Sequence, residues 1–226
     1  METLGIAIAA AFAAALIFNR QNSQDQSLPT DLPPLNYDPV ALTLDIPDIT
    51  ILSDGISDAP ASPLSAFLYA IRRSENLERD VRSGNDYGAL YGGGYMGDFS
   101  DHPTATGEWM GRPLADKTCR AAGQRVGCKS TAAGAYQINR PTWDEFRAAG
   151  VYGSRLDDFT PASQDEAARR ILGKTGALSA IERGDINAAT ALASKRWASL
   201  PGSTSGQPQR SVEEFAQFLT DGGLYA

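Results

Sequence analysis

Glu75 is the acidic residue whose position best suits acid–base chemistry. It lies four residues after the last member of an apolar stripe with helical spacing, which consists of Leu64, Leu68 and Ile71. A carboxyl group at that place is partly removed from water and lies near the negative end of a helix dipole. Both effects disfavour the charged form, so we expect the pKa of Glu75 to rise toward the value that a general acid needs at neutral pH. The position alone also allows a surface glutamate at a frayed helix end, beside arginine side chains.

The segment 129–139, KSTAAGAYQIN, carries side chains suited to a sugar ligand. Gly134 allows a close approach of backbone or ligand, because it has no Cβ atom. Tyr136 offers an aromatic face, and the amide of Gln137 can both donate and accept hydrogen bonds. The predicted substrate-binding residues of this segment are Ser130, Gly134, Tyr136 and Gln137. By itself the pattern is weak evidence, because a short glycine–aromatic–amide sequence arises often by chance.

The other residues that could carry chemistry indicate neither a metal site nor a cofactor. The chain contains two cysteines and one histidine, too few for a zinc site. His102 is expected to make structural hydrogen bonds rather than to act in catalysis. A place in the core is the expected role of all three tryptophans, Trp109, Trp143 and Trp197, and Trp197 is the best candidate among them for a platform that binds sugar.

Helix signals recur through residues 62–226 and define the domain that positions these groups. Ser62 and Pro63 mark the start of the helix that ends near Glu75. Further helices are predicted to start at Asn139 or Arg140, at Thr160, at Asp185 and at Ser211, the last with a capping box to Glu214. The segment 84–136 is rich in glycine and aromatic residues and is the predicted β region. The fold class is therefore α+β, mainly helical with a small inserted sheet.

The charge distribution separates this domain from the chain that precedes it. There are 20 Lys and Arg against 27 Asp and Glu, a net charge of −7, which argues against nucleic acid as a partner. Residues 21–61 contain seven aspartates, six prolines and no basic residue. Proline at this density prevents continuous helix and central strand, so the segment is predicted to be an extended acidic linker. Residues 41–52 alternate apolar side chains and could also form an edge strand or lie against a partner.

Residues 4–18, LGIAIAAAFAAALIF, form an uncharged run of which about half is alanine. As a helix this run covers about 22 Å, less than the roughly 30 Å of a hydrocarbon core. The preferred interpretation of residues 1–20 is a retained membrane anchor that spans with local thinning of the bilayer. A signal-like segment that is later released and a buried soluble helix are the alternatives. The single flanking Arg20 leaves the orientation open.

Several ordered blocks of the domain resemble the lysozyme family of bacteriophage lambda, whose members are peptidoglycan lytic transglycosylases. The blocks are Ser74-Glu75, YGGGYM (91–96), FSDHP (99–103), STAAGAYQI (130–138), DFTPASQDEAARRIL (158–172), ERGDI (182–186), WASLPG (197–202) and Gly206-Gln207. Together they span about 160 residues, essentially all of the domain and none of the first two segments.

The resemblance implies a lysozyme-like domain whose groove binds the aminosugar chain of the bacterial wall. Glu75 matches the family's acid, which protonates the glycosidic oxygen between MurNAc and GlcNAc. The same residue then acts as a base on the C6 hydroxyl of MurNAc and gives a 1,6-anhydro product. Because Trp197 and Gln207 lie in matching blocks, they join the predicted substrate-binding residues.

An intramolecular attack of this kind needs one carboxyl group with a tuned pKa. A hydrolase needs a second carboxylate at a defined distance from the first. The sequence leaves hydrolysis open, because it offers Asp86, Asp98 and Asp101. A solvated turn is the expected place of each of these aspartates.

Two features depart from the family pattern. Asn76 stands where the family usually has glycine, so the chain either leaves the helix differently or Asn76 adopts the left-handed conformation. The stretch 102–129, which corresponds to one lip of the groove, is longer than in the lambda enzyme and holds Cys119 and Cys128. These cysteines suit a disulfide-tied hairpin in an exported domain, with reduced buried thiols as the alternative.

The predicted function is that of a phage lytic transglycosylase, either an endolysin held at the inner membrane or a virion-associated enzyme that opens the wall. A hydrolytic muramidase is one alternative, and a structural virion anchor whose lysozyme-like head only binds the wall is another. The predicted partners are peptidoglycan glycan strands, a membrane through residues 4–18, and other virion proteins through the linker. The catalytic domain is expected outside the cytoplasm, in the bacterial periplasm or on a virion.

Overall fold

The structure, a computed structural model, describes residues 62–205 and 207–224, apart from the side chain of residue 121. The predicted anchor at 4–18 and the predicted linker at 21–61 lie outside these ranges. Within them, no helix is both long and apolar enough to cross a membrane.

The described residues form a mainly helical domain with one small sheet. The helices are α1 (Pro63–Glu75), α2 (Glu78–Ser83), α3 (Pro103–Thr106), α4 (Asp116–Ala121), α5 (Arg140–Arg147), α6 (Pro161–Thr175), α7 (Ala177–Glu182), α8 (Ile186–Ala193) and α9 (Val212–Asp221). A 3-10 turn covers Asn85–Gly88. Strands β1 (Arg112–Pro113) and β2 (Lys129–Ser130) pair antiparallel, with Arg112 opposite Ser130.

Helix α1 is the central element of the core. The side chain of Ser62 accepts a hydrogen bond from the backbone N–H of Ser65, and Pro63 occupies the first turn, as predicted. The side chains of Phe67 and Ile71 are fully buried, and the ring of Phe67 meets that of Phe215 on α9 edge to face. The core also contains large side chains of α5 and α6, among them Trp143, Phe146, Ile171 and Leu172. The carboxyl end of α1 therefore lies inside the domain and not at its periphery.

The predicted helix starts are confirmed, and α1 ends at Glu75 as predicted. Asp185 caps α8, and Ser211 forms the predicted capping box with Glu214 on α9. Helix α6 continues through Gly173 to Thr175 and is closed by Gly176, which adopts a left-handed φ of 81°. Helix α8 ends at Ala193, so Trp197 lies beyond it.

The predicted β region contains only a small sheet. Between residues 84 and 136 the described chain forms two two-residue strands, isolated bridges such as that of Leu90 with Ala133, and short helices. The backbone here is held largely by turns, because glycines with positive φ interrupt any longer ladder. The prediction of a mainly helical α+β domain with a small sheet is nevertheless confirmed.

Cys119 and Cys128 form the predicted disulfide. The bond joins α4 to the residue that precedes β2, and the backbone N–H of Leu114 donates to the carbonyl of Cys128 at 3.0 Å. The expectation of a disulfide-tied hairpin is thus confirmed. We call residues 111–130 the disulfide hairpin.

Reducing this bond is expected to lower the free energy of unfolding by about 3 kcal/mol, because the reduced chain gains loop entropy in its unfolded state. Denaturant unfolding with and without a reductant measures the difference. The double variant Cys119→Ser/Cys128→Ser should be insensitive to the reductant. An equal loss of stability in that variant would show that the reductant acts elsewhere.

Candidate active site

Glu75 is the last residue of α1, and its side chain is buried, with 8% of the residue exposed. Its Oε1 atom accepts a hydrogen bond from the hydroxyl of Ser199 at 2.5 Å. Its Oε2 atom is buried and has no hydrogen-bond partner among the described residues. The alternative of a surface glutamate at a frayed helix end is therefore wrong.

Burial controls the ionisation of this carboxyl group. The loss of water raises the pKa of Glu75 from 4.5 to about 7, while the hydrogen bond from Ser199 and the positive charge of Arg210 act in the opposite direction. Arg210 is held next to Ser199, because its backbone N–H donates to the carbonyl of Ser199 at 2.7 Å. At neutral pH both the protonated and the ionised forms of Glu75 are populated.

Asn76 connects the end of α1 to the segment 131–138, which we call the wall. Its backbone is extended, with φ −130° and ψ 167°, so the left-handed conformation considered for it is wrong. The chain leaves the helix differently: the side-chain amide of Asn76 donates to the carbonyl of Arg72 at 3.2 Å and to that of Ala135 at 2.7 Å. The first of these bonds satisfies an end carbonyl of the helix, and the second fixes the wall beside Glu75.

Gly134 and Gln164 hold the wall against α6. Gly134 has φ 76°, and a Cβ atom placed on it would lie 2.1 Å from Oε1 of Gln164. That same oxygen accepts a hydrogen bond from the backbone N–H of Ala135 at 2.9 Å. The amide nitrogen of Gln164 donates to the carbonyls of Tyr87 and Phe159. Only glycine fits at position 134, because a Cβ atom would clash with the amide of Gln164 and because the backbone φ is positive there.

Tyr136 and Trp197 brace the wall from within. Tyr136 is 1% exposed and its hydroxyl donates to Asp165 at 2.6 Å, while Trp197 is 3% exposed and its indole N–H donates to the carbonyl of Tyr136 at 3.0 Å. Neither ring is presented to solvent. Their hydrogen bonds show that these two side chains support the wall beside Glu75. Direct contact of either side chain with substrate stays a prediction.

Gln137 is the one described non-glycine residue with a positive φ, 46°. This conformation is unfavourable for an ordinary side chain. The amide of Gln137 donates to the carbonyl of Gly134 at 3.0 Å, which stabilises the turn. Backbone strain of this kind is common at functional sites, so Gln137 keeps its place among the predicted binding residues.

Ser130 and Gln207 are the remaining predicted site residues, and no described contact joins either of them to Glu75. Ser130 is fully buried, and its hydroxyl accepts from the backbone N–H of Ala132 at 3.3 Å. Gln207 is half-buried and its Oε1 atom has no hydrogen-bond partner in the described part of the chain. An unpaired carbonyl oxygen of this kind can accept a hydrogen bond from a ligand. Their roles in binding remain predictions.

Two of the three candidate second carboxylates are bound in ion pairs. Asp86 is fully buried and accepts two hydrogen bonds from the guanidinium of Arg72, at 2.7 and 2.9 Å. Asp101 accepts from Arg147 and from the indole of Trp143. Asp98 accepts from the backbone N–H of Ser100 at 2.8 Å and is the only one of the three in the solvated turn that the sequence predicts for all of them.

His102 has the structural role that the sequence predicts. Its ring is fully buried, with Nδ1 at 2.9 Å from the hydroxyl of Thr104 and Nε2 at 3.1 Å from the carbonyl of Ile138. Burial lowers the pKa of His102 to about 4, so the ring is neutral at neutral pH. The contact with Ile138 fixes the far end of the wall.

Comparisons with known proteins agree with this site, in which a buried carboxyl group lies beside the wall. Residues 65–224 match the family model described as Endolysin. This chain belongs to the endolysin family. It is 35% identical over 161 residues to the endolysin of Escherichia phage lambda, a match that covers 70% of this chain and 90% of that one. It is 38% identical over 130 residues to the endolysin of Escherichia phage P2, covering 57% and 70%.

Solved structures similar to this endolysin-family chain give the same assignment. Bacteriophage lambda lysozyme in complex with a chitohexasaccharide superposes with a TM-score of 0.54 at 32% identity, over 71% of this chain and 94% of that one. A second structure of lysozyme from bacteriophage lambda gives a TM-score of 0.51 at 29% identity, over 71% and 91%. The fold is thus lysozyme-like. The chain is a phage endolysin, a glycosidase that degrades the bacterial cell wall outside the cytoplasm.

Three residues that shape the site were not predicted from the sequence: Ser199, Arg210 and Gln164. Ser199 lies within the block WASLPG, but its hydroxyl meets a carboxylate 124 residues away in the chain. No local spacing signals such a contact. For Gln164 the only signal is that it falls in a matching block, since an amide inside a helix is usually exposed.

The buried carboxyl group predicts a pH dependence of stability that a Glu75→Gln variant isolates. The pKa of Glu75 is higher in the folded than in the unfolded protein, so the folded state binds this proton more tightly. The resulting stabilisation is fully present below pH 4.5 and is lost as the pH rises to about 7. The stability of the parent relative to the variant should therefore fall by about 3 kcal/mol over this interval. Urea unfolding of both proteins at several pH values measures it.

Glu213→Gln is the matched control. Glu213 is exposed near the start of α9, where hydrogen bonds lower its pKa, so the corresponding difference should not fall as the pH rises. A pH-independent difference for Glu75→Gln would mean that the carboxyl group is hydrated in solution.

Proposed function

We propose that this chain is a lytic transglycosylase, which cleaves the bond between MurNAc and GlcNAc in peptidoglycan and leaves a 1,6-anhydro end. Glu75 protonates the glycosidic oxygen and then removes the proton from the C6 hydroxyl of MurNAc, which attacks C1 of the same sugar. The observation that supports this most directly is that the buried carboxyl group of Glu75 has a pKa of about 7 and one oxygen without a partner among the described residues.

The two oxygens of Glu75 are suited to different tasks. Oε1 is held by Ser199, so the carboxyl group has a fixed orientation. Oε2 is unpaired among the described residues, so a proton on it is available to an oxygen of the substrate. A pKa near the working pH lets one group serve first as acid and then as base. Because the nucleophile belongs to the substrate, no group is required to activate water.

Hydrolysis by a muramidase is the alternative within glycosidases. It requires a second carboxylate, as nucleophile or as base for water, at a defined distance from the acid. Asp86 and Asp101 are engaged by Arg72 and Arg147, so neither is available without breaking an ion pair. This favours transglycosylation. A head that only binds the wall would have no use for a carboxyl group kept protonated at the cost of burial.

The first experiment is mass analysis of the muropeptides released from purified peptidoglycan. Transglycosylation predicts products lighter by one water than hydrolysed fragments, with no new reducing ends. Glu75→Gln should reduce the rate by roughly 10²–10⁴-fold, the usual contribution of general acid–base catalysis. Asp98→Asn is the control and should keep parental activity. Products of full hydrolysed mass, together with a loss of activity in Asp98→Asn, would establish a muramidase instead.

A second experiment tests Ser199 as the residue that positions Glu75. Ser199→Ala removes a donor that stabilises the ionised carboxylate, so the fall of kcat/KM at alkaline pH should move to higher pH. Ser194→Ala is the matched control, because the hydroxyl of Ser194 donates to the carbonyl of Ala191 at 3.0 Å and not to Glu75. An unchanged pH profile in Ser199→Ala would contradict this role.

A further inference from the structure

The disulfide hairpin, residues 111–130, has a charge opposite to that of the chain. It contains five basic residues and one acidic residue, in a chain whose net charge is −7. A quarter of all lysines and arginines therefore lie in these twenty positions. The basic residues are Arg112, Lys117, Arg120, Arg125 and Lys129.

Most of this positive charge is not neutralised within the described protein. Lys117, Arg125 and Lys129 are exposed, and no carboxylate of the described residues lies within ion-pair distance of them. Arg120 has Asp116 at 4.0 Å, the longest ion pair of the described chain. Buried arginines elsewhere behave differently: Arg170, for example, is held by Glu166 at 2.7 Å. The charges of the hairpin are thus available to a group other than the described residues.

The hairpin is a defined surface and not a loose loop. The disulfide holds the Cα atoms of Cys119 and Cys128 5.8 Å apart, so α4, which carries Lys117 and Arg120, is fixed beside the start of β2, which carries Lys129. Strands β1 and β2 close its base. Charges on such a framework lose less conformational freedom on binding than charges on a flexible segment.

The hairpin continues the wall of the candidate active site. Strand β2 leads directly into residues 131–138, and the guanidinium of Arg112 donates to the carbonyl of Gly92 at 3.1 Å. The loop that contains Gly92 is joined to the wall in turn, since the backbone N–H of Tyr91 donates to the carbonyl of Ala132. A glycan strand beside Glu75 would therefore bring its substituents toward the hairpin.

Two exposed apolar side chains accompany the charges. Met110, directly before the hairpin, is 71% exposed, and Val126 within it is 55% exposed. A mixed surface of this kind fits a short peptide that carries carboxylates and small apolar side chains. It fits a bare phosphate less well, because a phosphate gains nothing from the apolar contacts.

We propose that the disulfide hairpin binds the peptide stems of peptidoglycan through their free carboxylates. The inference rests on the proposed function for one point, that a glycan strand of the wall occupies the groove beside Glu75. The stems project from the muramic residues of that strand and end in carboxylates. Their recognition restricts the enzyme to glycan that carries stems, which is a preference that the acid Glu75 cannot supply.

The test measures binding to insoluble peptidoglycan, freed of protein and secondary polymers, by co-sedimentation at low salt. All proteins carry Glu75→Gln, so that the wall is not digested during the assay. Adding Lys117→Gln, Arg125→Gln and Lys129→Gln is expected to weaken binding by roughly tenfold, with the difference vanishing at high salt. The control adds Arg155→Gln, Arg183→Gln and Lys195→Gln, which removes as many exposed charges from elsewhere and should leave binding unchanged.

A second arm identifies the ligand. The same peptidoglycan is used with its stem carboxylates converted to amides, and again with the stems removed. The Glu75→Gln protein with an intact hairpin should bind amidated and stem-free peptidoglycan more weakly than untreated peptidoglycan. The loss should equal the loss that the hairpin substitutions cause on untreated peptidoglycan. The hairpin variant should bind all three materials equally. Equal binding of parent and hairpin variant to untreated wall would overturn the proposal. So would a parent that binds amidated wall undiminished, a result that indicates another anion, such as phosphate.

Failure of this inference is distinguishable from failure of the proposed function. The binding assay uses inactive protein and does not depend on the reaction that Glu75 performs. The mass of the products, measured with active enzyme, decides between transglycosylation and hydrolysis whatever the hairpin binds. The three substituted side chains are exposed, so unchanged thermal unfolding of the variant confirms that it is folded.

Discussion

The dehydration of one carboxyl group is the constraint on which the site depends. An ionised carboxylate inside a protein is costly unless it is paired, so Glu75 retains its proton to a pH near 7. This environment is created by the fold and not by neighbours in sequence. Helix α1 ends within the core, and the segment after α8 supplies the hydroxyl of Ser199 to close the site. A glutamate at the same position of an isolated helix would be an ordinary acid.

The opposing effects on Glu75 are as important as its burial. Desolvation raises the pKa, while Ser199 and Arg210 stabilise the charged form and limit the rise. Without these two residues the pKa of Glu75 would be higher, and without burial it would fall toward the ordinary value of a glutamate. Both residues lie in the segment 199–210, so this short stretch limits the rise in the pKa of a residue on α1.

Local patterns in the sequence predict what is local in the structure. The start of α1, the capping box of α9 and the place of Glu75 on a buried stripe depend on spacing within one helix, and these predictions are confirmed. The contact of Ser199 with Glu75 was not predicted, because a contact between distant segments leaves no periodic signal in the sequence. Tyr136 was predicted to offer an aromatic face to a sugar. Residue type does not determine which side of a turn lies inside, and the ring is buried against Asp165, so its contact with substrate stays a prediction.

The sequence predicts where the small sheet lies, but it does not determine which of the surrounding residues form strands and which form turns. Glycine and aromatic residues are typical of strands and of tight turns alike, and here turns prevail. Some of their backbone groups are satisfied by a side chain of another element, since Gln164 of α6 bonds to the N–H of Ala135 and to the carbonyl of Tyr87. A prediction that considers only pairing between neighbouring segments assigns these groups to a sheet.

The buried amide of Gln164 joins three parts of the molecule at once: the wall through Ala135, the 3-10 turn through Tyr87, and the start of its own helix through Phe159. All three bonds are present together only when the three parts are assembled around Gln164. Opening the wall therefore also breaks a bond to α6, so the groove and the helix behind it are energetically coupled. Such coupling lowers the population of partly opened forms with a loose groove, which are the forms that proteases attack.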